Sequence, residues 1–190
     1  MLFEKAYVDV MHMPYADGFQ YIIQARDSLT SYPEFHILRN ETAKAIASFL
    51  FETVFCCWIT LRIIVSDNGP SMVKGVQKLC TKYHIPHITI LPFNSQADGL
   101  VERRHRDVRE AIKKAVEGDG TKWWKAVLLV FWAERVTIQK TTGYSPYYLA
   151  HGVEPVLPFD VVEATYLAPP VTAPMSSADL LAMQIGRAHV

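Results

Sequence analysis

Along the first quarter of the chain, hydrophobic and polar positions alternate in short runs, and from about residue 40 they mostly recur at helical spacing. Lys5 to Met13 places Tyr7, Asp9, Met11 and Met13 on one side and Ala6, Val8, Val10 and His12 on the other, the two-residue period of a strand. An acid, Asp9, therefore sits mid-strand. Pro14 is expected to end this run, Asp17-Gly18 to make a turn, and Phe19 to Ala25 to return as the second arm of a hairpin. Phe35 to Leu38 is a short third candidate.

Asn40 is expected to cap a helix whose apolar residues Ala43, Ile46, Ala47, Leu50 and Val54 would cover the sheet. Leu61 to Ser66 is a β-branched, apolar run that stops at the turn formers Asp67-Asn68-Gly69-Pro70, which puts Asp67 at the tip of a buried strand. A helix capped by Ser71 follows, with Val73, Val76, Cys80 and Tyr83 on one face, closed before Pro86. His87 to Leu91 then reads as a short strand. Strand and helix alternate from residue 36 to 91, which argues for parallel pairing beside the antiparallel hairpin, and so for an α/β domain.

Residues Leu91 to Gly99 read as a loop, and Gly99 to Val116 as a helix with Val101, Val108, Ala111, Ile112 and Ala115 on one side. Glu102, His105, Arg106, Arg109 and Lys113 share another face. Gly118-Asp119-Gly120 breaks the chain, and Thr121 is expected to cap a last long helix through Trp123, Val127, Val130, Phe131 and Glu134 toward Lys140. Its rings Trp123, Trp124, Phe131 and Trp132 suit either a core or a surface for a second copy. Residues 1–140 are thus expected to form a core and 141–166 an irregular arm packed on it, with a short turn at Ser145 to Leu149. Residues 167–190, with Pro169, Pro170 and Pro174, read as a linker. The last six, Ile185 to Val190, translate a DNA string resembling a common sequencing adapter. They are expected to be an assembly artefact, with the natural chain continuing past about Met183.

A chain of 190 residues, half of them apolar, can build one domain with a real core. Lysine plus arginine equals aspartate plus glutamate at 19 each, so a nucleic-acid surface has to come from local segregation of charge. Cys56, Cys57 and Cys80 form no C-x-x-C pair and are odd in number, which points away from a disulfide framework or zinc ribbon and toward a reducing, intracellular setting. His84 and His87 are spaced like metal ligands but lack nearby partners, and read as ordinary residues flanking Pro86. No apolar run reaches membrane-span length, and the N-terminus lacks a basic-then-apolar secretory pattern.

Three acids recur in this reading: Asp9 on a strand, Asp67 at a strand end, and Glu102, 35 residues further on, one turn into a helix. Like charges that converge in a partly buried site repel, and divalent metals are the usual remedy. Oxygen-only ligands favour magnesium or manganese over zinc, and two such ions can clamp the attacking and leaving oxygens of a phosphoryl transfer. With nineteen acidic residues, some pair at any chosen spacing is nearly guaranteed, so the residues alone leave open both a catalytic site and a coincidence. His105, Arg106, Arg109 and Lys113 form a stripe able to follow a phosphate backbone, or a solvated helix face with internal pairs such as Arg106 with Glu110. Asn94, Ser95 and Gln96, with Gly99, form a polar loop able to reach bases or sugars.

Val8-Asp9, Ser66-Asp67-Asn68-Gly69, and Asn94 through Gly99-Leu100-Val101-Glu102-Arg103-Arg104-His105 resemble the D,D-35-E pattern of retroviral-type integrase cores. Thr142-Gly143-Tyr144-Ser145-Pro146-Tyr147-Tyr148-Leu149 and Gly152-Val153-Glu154-Pro155 with Leu157-Pro158 resemble the segment after the core in integrases of gypsy-type LTR retrotransposons. The resemblance spans roughly residues 3 to 166 and implies a ribonuclease H-like fold, a five-stranded mixed sheet flanked by helices. It implies that Asp9, Asp67 and Glu102 are catalytic and hold two magnesium or manganese ions, Asp9 touching both. Asn68, Asn94, Ser95, Gln96, His105, Arg106, Arg109 and Lys113 would bind DNA.

The implied activity is a polynucleotidyl transfer in which the 3′-hydroxyl of element DNA attacks target DNA without a covalent protein intermediate. The implied partners are element ends, target DNA and further copies of the chain, in the nucleus after a cytoplasmic particle phase. The family's zinc-binding His/His/Cys/Cys module and its second small domain would lie outside these 190 residues. Pro70-Ser71-Met72 stands where the family often has an acidic or aromatic pair, which leaves the local DNA contacts open. Two other functions compete: a non-catalytic DNA-binding or assembly module, decayed or adopted by a host, and a ribonuclease H-type nuclease.

Overall fold

The computed structural model describes residues 1–59, 61–90, 95–116 and 122–157, without the side chains of residues 95–104. Met1–Val153 is one compact unit, and Glu154–Val190 is a second, of which residues 154–157 are described and have no regular structure. The expected cap Thr121, the glycine break at 118–120 and the expected linker lie outside the described residues.

Five strands form one mixed sheet in the order β3-β2-β1-β4-β5: β1 Lys5–Ala16, β2 Phe19–Asp27, β3 Pro33–Leu38, β4 Ile63–Ser66 and β5 His87–Thr89. β1 and β2 form the expected hairpin. Asp17 and Gly18 both take positive φ (49° and 86°), the mirror-image turn whose twist matches that of the flanking strands. Pro14 does not end β1. The strand runs on to Ala16, because an irregular register between His12 and Ala16 lets the chain pass a residue that has no N–H to donate. The carbonyl of Pro14 accepts from Trp123 Nε1 at 2.7 Å. β4 and β5 add in parallel, Val8 opposite Ser66 and Ser66 opposite Thr89.

Both faces of the sheet are covered, each by its own apolar cluster. Ala6, Val8 and Ala25 face Ile46, Leu50, Met72, Val76 and Leu79. These come from α1 (Ala43–Phe49), the π-helical turn that extends it (Leu50–Phe55) and α3 (Pro70–Tyr83), with the short α2 (Cys56–Trp58) lying between. Met11, Met13 and Ile22 turn the other way, onto Val108 and Ile112 of α4 (Ser95–Ala115) and Trp123, Val127 and Phe131 of α5 (Trp123–Val136). Trp123 and Phe131 are therefore core residues, whereas Leu128, Leu129 and Trp132 on α5 are exposed.

Several helix boundaries differ from expectation, each for a local reason. Thr42, not Asn40, caps α1, its Oγ1 accepting from Ala45 N at 3.2 Å. α3 begins at Pro70 rather than after Ser71. Proline suits the first helical position, where its missing N–H costs nothing. α4 begins at Ser95, so residues 95–99 of the expected loop are helix; Gly99 is tolerated inside it for about 1 kcal/mol. α5 stops at Val136, short of Lys140. Ser145 Oγ accepts from Tyr148 N at 3.0 Å and caps α6 (Pro146–His151), whose Tyr147 and His151 rings meet each other, with His151 also against Tyr32 and Trp58.

Charged groups tie the layers together. Asp27, 2% exposed, accepts from Phe3 N, Thr30 N and Thr30 Oγ1, each at 2.8 Å, so its burial is compensated. Arg26 of β2 reaches Glu134 of α5 at 2.7 Å, and Arg135 bonds the Pro33 carbonyl and Glu34. Burial raises the Glu34 carboxyl above its ordinary range despite Arg135 and the Trp58 indole.

α1 crosses α3 at Gly75, where a Cβ would stand 2.8 Å from the Ile46 side chain and 3.0 Å from the Ala43 carbonyl. Replacing a mid-helix glycine by alanine ordinarily gains about 1 kcal/mol. Here the clash reverses the sign, and Gly75→Ala is expected to cost roughly 1–3 kcal/mol in urea unfolding. A gain in stability would show that the helices part without cost.

Candidate active site

The pairing of β1 with β4 makes the site. Val8 lies opposite Ser66, so Asp9, within the long central strand, is level with Asp67, the residue just past the end of β4. Turn formers stop β4 at that point, whereas β1 continues because β2 still pairs with it. Asp9 belongs to the same alternating set as Met11 and Met13, the set covered by α4 and α5. On α4, Val108 and Ile112 anchor the helix to that face, and His105 lies one turn before Val108.

His105 Nε2 meets Asp9 Oδ2 as an ion pair. Both atoms are buried, and neither has a hydrogen bond among the described residues. The other Asp9 oxygen accepts from the Val10 N–H at 2.8 Å. Asp67 Oδ1 accepts from Gly69 N at 3.2 Å. Asp67 is exposed at the surface, yet the protein atoms around its carboxyl partly desolvate it and raise it above its ordinary range; the Gly69 N–H opposes this, the Asp9 charge adds to it, and His105 and His12 offset it in part. Two carboxylates are thus brought within electrostatic reach, with the His105 imidazole against one of them.

Glu102 lies on α4 three residues before His105; its side chain lies outside the described residues. Ser95 and Gln96 open the same helix, their side chains likewise outside, and Asn94 is not described. Asn68 is exposed beside Asp67. The basic stripe divides. His105 turns inward to Asp9, while Arg106, Arg109 and Lys113 are exposed and Arg109 donates to the His12 carbonyl at 3.3 Å.

Three neighbours were not read from the sequence as site residues. His12 packs against the Tyr21 ring (centroids 4.9 Å apart), and its Nε2 is 3.4 Å from Glu41. Ser66 Oγ donates to the Asp67 carbonyl at 3.0 Å and contacts His87 Nε2 at 2.9 Å, steadying the backbone that carries Asp67. Spacing gives no sign of these contacts, since each crosses between strands or elements. His84 ends α3 in a left-handed turn (φ 54°) while His87 is engaged by Ser66.

Among the described residues, no three His, Cys, Asp or Glu side chains form a ready metal cage. Two observations nevertheless fit a divalent cation: Asp9 Oδ2 is buried with no hydrogen bond, and Asp67 beside it is a carboxyl whose charge burial disfavours. The oxygen donors suit magnesium or manganese.

No protein-family model matches the chain. It is 29% identical over 172 residues to the Gag-Pol polyprotein of feline leukemia virus, covering 88% of this chain and 10% of that protein. It is 26% identical over 159 residues to a retrovirus-related Pol polyprotein from transposon 412 of Drosophila melanogaster, covering 82% and 13%. The chain thus spans about a tenth of the length of these relatives. Among solved structures, it resembles the HTLV-2 integrase catalytic core domain in complex with magnesium in its trimeric form (TM-score 0.62, 20% identity, 77% of this chain and 95% of that one). It also resembles a chain of the simian T-cell lymphotropic virus intasome in complex with PP2A regulatory subunit B56 gamma (TM-score 0.67, 21% identity, 90% and 60%).

The fold is therefore the ribonuclease H-like fold of integrase catalytic cores, a five-stranded mixed sheet with flanking helices. The likeness in sequence to Pol polyproteins and in fold to integrase cores together support a retroviral-type integrase core.

Burial holds the His87 imidazole below its ordinary value of 6.5. Its neutral form is favoured on folding, so its contribution is fully present above about 6.5 and is lost as pH falls through the lower folded value. The melting temperature is expected to fall between about pH 7.5 and 5.5 by more in the native chain than in His87→Gln. Equal slopes in the two proteins would remove His87 as a source.

Proposed function

We propose that this chain is the catalytic core of an integrase from a gypsy-type LTR retrotransposon. The reaction is a polynucleotidyl transfer that joins the 3′ ends of element DNA to target DNA. The observation that carries the reading is the meeting of Asp9 and Asp67 across two parallel strands, closed over by the helix that bears Glu102 and His105. The likeness to the transposon 412 polyprotein supports a retrotransposon source.

Asp9, Asp67 and Glu102 are the residues assigned to hold two magnesium or manganese ions, and the integrase core of similar fold in complex with magnesium supports that choice. When bound, the metal neutralises the acids and supplies the Lewis-acid stabilisation that phosphoryl transfer needs. Arg106, Arg109 and Lys113 line exposed turns of α4 beyond the acids, where their charge suits a phosphate backbone. Asn68, beside Asp67, and Asn94, Ser95 and Gln96 are assigned to DNA as well. The 3′-hydroxyl of element DNA attacks the target phosphodiester directly and displaces the target strand's own 3′-oxygen, which leaves as a hydroxyl after taking up a proton, and no side chain takes the phosphoryl group.

Assembly from several copies and action in the nucleus, after a cytoplasmic particle phase, complete the reading. The intasome and the trimeric core among the similar structures support assembly, as do Leu128, Leu129 and Trp132, exposed on α5.

With flanking domains restored, Asp67→Asn and Glu102→Gln are each expected to lower strand transfer on the order of a hundred- to a thousandfold, the worth of several kcal/mol of metal stabilisation. Without metal, Asp67→Asn should melt no lower than the native chain, since its carboxylate is disfavoured where it stands. Magnesium or manganese should raise the melting temperature of the native chain and not that of Asp9→Asn. Unchanged joining in either catalytic variant defeats the proposal, and cleavage of RNA in a hybrid without DNA joining assigns the site to a nuclease instead.

A further inference from the structure

We propose that His105 covers Asp9 Oδ2 while the site is free of metal, and that the imidazole must leave before a divalent cation can bind. The inference rests on the metal-dependent reading above. It makes His105 a positioning residue of the carboxylate site rather than part of the DNA-binding stripe.

Four observations carry it. Asp9 Oδ1 is already engaged by the Val10 N–H, so Oδ2 is the oxygen left to bind a cation. Oδ2 has essentially no surface open to solvent, and what covers it is His105 Nε2, itself buried without another partner. Among the described residues nearby, Arg109 donates to the His12 carbonyl and His12 Nε2 meets Glu41. Glu102 and His105 are three residues apart on α4, so one small helix movement changes the position of both relative to the strands.

The physical logic is exchange of one partner of Oδ2 for another. Asp9 and Asp67 repel, and α4 packs onto the same sheet face through Val108 and Ile112. Closing that helix over two bare carboxylates is costly, and an imidazole on Oδ2 lowers the cost. A metal ion takes over that task, and the imidazole then becomes a competitor for the oxygen. Metal affinity is accordingly held below what the carboxylates alone would give.

The test is calorimetric titration of manganese into the native 190-residue chain, His105→Ala, His105→Gln and Asp9→Asn. His105→Ala is expected to bind manganese roughly tenfold more tightly, because the imidazole no longer has to be displaced from Oδ2. His105→Gln, whose neutral amide can still donate to Oδ2, should fall between, and Asp9→Asn should lose binding. Labelling of His105 by diethylpyrocarbonate, read by mass spectrometry, should rise when magnesium is added. Weaker binding in His105→Ala would make the imidazole a metal ligand and overturn the proposal. Equal gains in the alanine and glutamine variants would reduce it to charge at a distance and also overturn it, as would no change in either. If none of the folded proteins binds metal, the metal-dependent reading fails and takes this inference with it.

Discussion

Two carboxylates held at adjacent positions on parallel strands are the constraint to which the rest of the molecule answers. Asp9 and Asp67 are put there by backbone hydrogen bonding between β1 and β4, which does not depend on their charge. Their repulsion, and the partial burial that raises the Asp67 carboxyl, work against the fold. The sheet supplies the surplus that tolerates this. β1 is paired on both sides, and its two faces are sealed by separate apolar clusters, so local charge strain cannot peel the strand away.

That division of labour accounts for where function sits. The layer of α1 and α3 is closely packed, down to a glycine at the helix crossing, and carries no site residue. The layer of α4 and α5 carries the chemistry. α5 is bound to β2 and β3 by the Arg26–Glu134 and Arg135–Glu34 ion pairs and by the stacked rings of Phe35 and Phe131 (centroids 4.1 Å apart). α4 has no comparable set of ties among its described residues; Val108 and Ile112 hold its C-terminal half, and the His105–Asp9 pair is the described link nearest the acids.

Much of this was legible along the chain. The hairpin at Asp17-Gly18, the strand ending at Asp67 and the parallel additions follow from alternation and turn chemistry, which are local properties of backbone and side chain. Boundaries were less legible. Pro14 reads as a stop, yet a strand still held by β2 on both sides of the irregularity can absorb it in a register shift, and Ser95 to Asp98 reads as a loop, yet is helical.

By itself the sequence determined which acids are available, on which kinds of element they lie, and a ribonuclease H-like expectation for their arrangement. Only the tertiary structure decided that His105 leaves the basic stripe to face Asp9, that Ser66 and His87 brace the backbone at Asp67, and that Glu41 and Tyr21 surround His12. The reason is physical. Periodicity reports which side of an element a residue occupies, whereas these contacts join residues up to 96 positions apart, whose meeting is set by strand register and by the packing of a helix onto the sheet.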